Sequence, residues 1–193
     1  LYVTLACLRT LVIARSTFAG TGKWGNGSVT IYLPRDKFYD FATLAAVEGT
    51  GQNITLTDVN FIMIPLHIRG RAVLSLCTAG AMTTTELRNK DFEFVVVPDA
   101  KGTAAGSLYV DDSVSFVQEK STSVEMQFAE GKLSVNGSFA AYDVGLKVTS
   151  VAFLCVEKHP MAITVYPGKD NMPFSYDGAS KVLVCYVYKL ICH

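Results

Sequence analysis

Asp111 and Asp112 are adjacent carboxylates inside the stretch Thr103–Phe116, and they are the residues here that first suggest chemistry. Two carboxyl groups share acid and base work when they face one bond from about 5–10 Å apart. Neighbours on a strand cannot, because successive side chains point to opposite faces. The pair therefore reads as an acidic turn, with Asp111, Asp112 and Ser113 bonding to nearby backbone. Leu108 and Val110 before it, and Val114 and Phe116 after it, are expected to face inward on two short strands.

Other constellations lead nowhere. His67, His159 and His193 are scattered, and no G-x-S-x-G elbow exposes a serine. Gly22-Lys23 hints at a phosphate loop, but Thr17 stands where its first glycine belongs and Trp24 follows the lysine. Cys185, Cys192 and His193 fit no zinc spacing. No catalytic residue, cofactor ligand or metal ligand is assigned. Trp24, Tyr32, Phe38 and Tyr39 have the chemistry to stack on a sugar, although aromatics in strands are more often core or interface. Three N-x-[S/T] sequons, at Asn26, Asn53 and Asn136, lie near glycines or polar stretches and predict glycosylation of a secreted protein. The five cysteines are an odd number, so one at least has no partner within the chain. Most read as small buried hydrophobes.

The elements that carry these residues read as strands. Val29–Leu33 leads into a proline turn and an aromatic cluster, and Val47–Leu56 is a turn and strand. Asn60–Gly70 is a strand interrupted by Pro65, hence an edge or bulged one. Asp91–Val97 is a strand ended by Pro98. Val124, Met126 and Phe128 alternate with Glu125 and Gln127, Glu130-Gly131 makes a hairpin turn, and Leu133 and Val135 return with Ser134 and Asn136 facing out. Lys147–Val156, Met161–Tyr166 and Lys181–Ile191 complete the run. No segment sustains a helical period.

The chain has 193 residues, half of them hydrophobic, which suffices for one sizeable domain or two small ones. Lysine plus arginine equals aspartate plus glutamate at 17 each, which removes the electrostatic footprint of a nucleic-acid binder. The apolar runs Leu1–Leu8 and Val182–Cys192 fall short of the roughly 20 residues a membrane-spanning helix needs and read as buried strands. Leu1 is not a methionine, which suggests processing or an internal starting point. Leu1–Ile13 is apolar on both strand faces and is expected to pack against polypeptide outside this chain. The small, polar stretch Asp99–Gly106 is the expected domain boundary.

Several of these segments resemble one family. Thr103–Ser113 resembles the "A-x-G-x-L-Y-L-D-D-G" signature of glycoside hydrolase family 31, the α-glucosidase family, with Ser113 in place of its glycine. Val29–Phe41 resembles "V-Y-L-P-x-G-x-W-Y-D-F", matching at Tyr32, Leu33, Pro34, Tyr39, Asp40 and Phe41, with Asp36 for glycine and Phe38 for tryptophan. Ile64–Gly70 resembles "I-P-x-x-x-R-G-G". Arg71 stands at its second glycine, where glycine supplies positive φ at no steric cost, and Ser75 replaces a proline further on. Leu1-Tyr-Val-Thr resembles "L-L-V-T-P-V", and Asn136–Leu154, with Tyr142-Asp-Val-Gly-Leu-Lys147, is most similar to fungal α-glucosidases.

The resemblance implies an all-β chain of two small antiparallel β-sandwich-like modules. Residues 1–98 would be a proximal C-terminal domain, with 1–17 as the exit strand from a catalytic barrel, and 99–193 a distal one. It implies the non-catalytic C-terminal part of a retaining α-glucosidase that hydrolyses terminal α-linked glucose. The family's catalytic aspartates sit in a (β/α)8 barrel upstream, and no "W-x-D-M-N-E" motif occurs here. The barrel alone takes roughly 250 residues. Its polypeptide and carbohydrate are the expected partners, with no nucleic acid and no membrane. The competing reading is a free-standing, lectin-like carbohydrate-binding sandwich.

Overall fold

A computed structural model describes residues 11–13, 27–59, 64–111, 115–117, 121–138 and 147–187. Strands dominate, as expected, and the described residues divide into two compact units on either side of the Gly70–Arg71 bond.

The first unit holds two antiparallel sheets. Strands β1 (Leu11–Ile13), β3 (Asp36–Asp40), β4 (Ala46–Gly49) and β6 (Leu66–Arg69) form one, in the order β1-β6-β3-β4. Strands β2 (Gly27–Leu33) and β5 (Gln52–Val59) form the other. The sequence sets which face goes inward. Val29, Ile31 and Leu33 are buried while Thr30 and Tyr32 face out, the period of two that a half-buried strand imposes. On β5, Asp58 takes φ +59 opposite a register shift between Gly27 and Val29, a bulge that restores Val59 to the inside. Val29, Ile31, Leu33, Phe38 and Val59 make a core that both sheets share, with Val47, Ile54 and Leu56 at its margin. The unit is therefore sandwich-like.

The second unit is built on β7 (Ala72–Cys77), β8 (Phe92–Val97), β9 (Ala104–Asp111), β10 (Ser121–Ala129), β11 (Lys132–Ser138), β12 (Val148–Phe153), β15 (Phe174–Asp177) and β16 (Val182–Tyr186). They form an eight-stranded sheet in the order β11-β10-β9-β7-β8-β12-β16-β15. Strands β13 (Thr164–Val165) and β14 (Asp170–Asn171) pair as a separate ribbon. The sheet is mixed: β8 and β12 run parallel, as do β7 and β9, and the other neighbours are antiparallel.

Phe128 on β10 and Phe153 on β12 lie with ring centroids 5.6 Å apart. Three strands separate β10 from β12 in the sheet, so the sheet must curl until one face closes on itself. Val73, Phe92, Phe94, Val96, Met126 and Val151 fill the enclosed core. Where β7 and β9 approach, a side chain at Gly106 would sit 2.1 Å from the Val73 carbonyl oxygen, so only glycine fits. Glu130 and Gly131 both take positive φ, +53° and +74°, giving the primed hairpin turn that alternation on β10 and β11 requires.

Three details depart from the sequence reading. The expected boundary at 98/99 falls on the connection between β8 and β9, inside the second unit. Phe116, expected to face inward, is fully exposed, and the strand after the acidic turn begins at Ser121. The polar segment after Thr83 forms a single helical turn, α1 (Thr84–Leu87), too short to display a period. Thr83 caps it by accepting from the Glu86 N–H at 3.2 Å, and Glu86 reaches back to accept from the Met82 N–H.

Candidate functional site

Asp111 ends β9 opposite Ser121 and is half-buried on the sheet's outer face; Asp112 lies outside the described residues. Leu108 and Val110 are buried as expected, and Tyr109 points out. Among the described residues no group of three or more His, Cys, Asp or Glu side chains is placed to hold a metal ion.

The carboxylates with elaborate surroundings hold turns together. Asp40 Oδ1 accepts from the Ala42 and Thr43 N–H groups at 3.1 and 2.7 Å and from the Thr43 hydroxyl at 2.8 Å. Asp36, at the place of a family glycine, accepts on Oδ2 from Arg69 Nε at 2.7 Å and Nη2 at 2.6 Å. Asp99 is buried. Its Oδ1 accepts from the Lys101 and Thr103 N–H groups and the Thr103 hydroxyl, and its Oδ2 accepts from Arg71 Nε and Nη2. Burial alone would raise the Asp99 carboxyl, but the bonds from Thr103, Arg71 and Lys101 outweigh it and hold it below the ordinary range. The stretch that composition marks as a linker is thus a tight turn organised on one buried acid.

Arg71 carries φ +83, so the arginine itself takes the left-handed backbone that the family assigns to glycine. Ser75, at the place of a family proline, has a buried hydroxyl with no hydrogen-bond partner.

His67 is buried, and its Nδ1 finds no partner. Burial lowers its pKa and the neighbouring Asp40 partly restores it, so the ring is held neutral through a wider acidic range than usual. Cys77, Cys155 and Cys185 are thiols. Burial raises the Cys77 and Cys185 thiols, while the Cys155 Sγ–H donates to Glu157 Oε1 at 3.6 Å. Cys7 and Cys192 lie outside the described residues.

Of the aromatics with stacking chemistry, Phe38 and Tyr39 are completely buried and Tyr32 is exposed; Trp24 lies outside the described residues. Asn53 on β5 and Asn136 on β11 are exposed, and Asn26 lies outside. No helix among the described residues is long and apolar enough to cross a membrane. Sequence reasoning missed the two arginine–aspartate pairs and set His67 aside as one of three scattered histidines. Asp99-Ala-Lys-Gly-Thr103 carried a signal for one of them, an aspartate opening a glycine turn.

Residues 15–74 match the model of the glycosyl hydrolase family 31 C-terminal domain. This chain is C-terminal sequence of glycosyl hydrolase family 31. The match takes in the Tyr32–Phe41 and Ile64–Gly70 segments. Among curated relatives, the probable alpha/beta-glucosidase agdC of Neosartorya fischeri is 42% identical over 127 residues, 66% of this chain and 14% of that protein. The Aspergillus flavus protein of the same name is 45% identical over 115 residues, 60% of this chain and 13% of that protein. The family 31 chain thus spans about a seventh of these relatives.

Solved structures agree on the fold. A crystal structure of glucosidase II alpha subunit superimposes with a TM-score of 0.67 at 22% identity, covering 82% of this chain and 20% of that one. The Flavobacterium johnsoniae family 31 dextranase gives 0.64 at 14% identity, covering 93% and 24%.

Proposed function

We propose that this chain is the non-catalytic C-terminal part of a retaining α-glucosidase that hydrolyses terminal α-linked glucose, and that it supports a catalytic (β/α)8 barrel lying outside it. The observation that carries the reading is the match of residues 15–74 to the family's C-terminal domain, in a chain that matches about a seventh of much longer relatives named alpha/beta-glucosidase and whose buried carboxylate caps a turn. Asp99 is saturated with hydrogen bonds and offers no acid or base to a substrate. Asp111 is paired across the strands with Ser121.

The protein is further read as secreted and glycosylated. Exposure of Asn53 and Asn136 supports this, since an oligosaccharide needs a solvent-facing asparagine.

The test has two arms. The isolated chain should not hydrolyse maltose or an aryl α-glucoside, and robust turnover would refute the reading. Deleting the chain from the whole enzyme should reduce the yield of folded, active protein. A deletion variant with unchanged kcat/KM and melting temperature would show that it supports nothing. Binding of free glucans by the isolated chain, combined with that second result, would favour the lectin-like alternative.

A further inference from the structure

The sequon at Asn136 opens onto a face of unusual composition. Strands β9, β10 and β11 lie side by side, and their register aligns Asn136 with Glu125 and Glu125 with Ser107. The next rung aligns Tyr109 with Ser123. Adjacent strands are about 4.8 Å apart and alternate residues about 7 Å, so the Cα atoms of Asn136 and Tyr109 lie roughly 12 Å apart across the face. Glu125 and Ser123 on β10 flank the line between them, and Ser107 lies beside the ring on β9, all three exposed.

Serine is a poor choice for a solvent-facing strand position, where threonine, tyrosine or valine would hold the pleat better. Ser123 and Ser107 leave the surface low beside the ring, and Glu125 is the longer side chain next to Asn136. Tyr109 is the tall apolar feature of this face, and 37% of it is exposed.

We propose that the glycan carried by Asn136 folds back across these strands and stacks its inner sugar rings on Tyr109. The C–H face of an N-acetylhexosamine is apolar and suits an aromatic surface, while its hydroxyl and acetamido groups can bond to Ser107, Ser123 and Glu125. The first sugars of an N-linked chain are long enough to cross the gap. Among the described residues, strand β11 is the outer strand of the eight-stranded sheet. A glycan held here would shield that edge from pairing with another chain.

The inference rests on glycosylation at Asn136, and the experiment separates the two claims. The full chain is secreted from a glycosylating fungal host, occupancy at Asn136 is mapped by mass, and a double-mutant cycle is run between Asn136→Gln and Tyr109→Ala. In the glycosylated protein, Tyr109→Ala should lower Tm by ~3 °C, and Tyr109→Phe, which keeps the ring, should lower it by less than ~1 °C. In the Asn136→Gln background, Tyr109→Ala should cost less than ~1 °C. An unoccupied Asn136 would overturn both claims. An occupied Asn136 with the same Tyr109→Ala loss in both backgrounds would overturn the stacking alone.

Discussion

Arg71 sets Nε and Nη2 at 3.0 and 2.9 Å from Oδ2 of the buried Asp99, while its own backbone stands at φ +83. One residue carries both a steric cost and the ion pair that offsets it. Its N–H donates to the Val97 carbonyl, so the turn before β7 and the turn after β8 are fastened at the same point.

Arg71→Ala keeps the unfavourable backbone and leaves Asp99 short of two charge-assisted bonds. It should destabilise by about 2 kcal/mol. Arg71→Gly also loses the pair but relieves the left-handed strain, and it should recover about 1 kcal/mol of that loss. Urea unfolding of the two variants checks the order. Equal losses would mean the backbone carries no strain.

His67 makes the chain acid-sensitive. Its pKa is lowered from 6.5 in the folded state, so the unfolded state binds more protons below that value. Its contribution is complete above the unfolded pKa and is lost as pH falls toward the folded one. Thermal melts should show stability declining from pH 7 to 5, and His67→Leu should flatten that slope. An unchanged slope in the variant would place the proton uptake elsewhere.

Cys185 is buried with a raised pKa and should resist alkylation in the native chain at neutral pH. Iodoacetamide labelling followed by peptide mapping should find it modified only after denaturation. Rapid native labelling would contradict its burial.

Asp111→Asn in the whole enzyme should leave sugar hydrolysis within a few-fold, because a catalytic carboxylate would cost orders of magnitude. Steady-state kinetics decides this, and a thousandfold loss with the fold intact would make Asp111 catalytic.

Much of the fold was legible because alternation maps directly onto faces. Val124, Met126 and Phe128 turn in where Glu125 and Gln127 turn out, and Glu130-Gly131 turns the chain as its composition demands. The helical turn at Thr84 was not legible, since four residues show no period. The unit boundary was hidden for a different reason. Asp99–Thr103 has the composition of a linker, yet its order comes from Arg71, 28 residues earlier, which no local window contains. Phe116 was misplaced because alternation was continued past Asp111, where the ladder stops. For the candidate site, sequons and turn aspartates can be read from short motifs. The orphaned Nδ1 of His67 depends on what packs around it.

The parallel pairing of β8 with β12 bears on how the protein is made. The Lys147 N–H donates to Asp91 Oδ1 across 56 residues of sequence, and β8 is flanked by β12 on that side. A ribosome that has delivered β8 must translate the hairpin of β10 and β11 before the covering strand emerges. Until then a strand reading Phe-Glu-Phe-Val-Val-Val is an open edge, the kind of segment that seeds aggregation. Such non-local order slows folding and prolongs exposure of that edge, and a chain truncated before residue 148 should be insoluble.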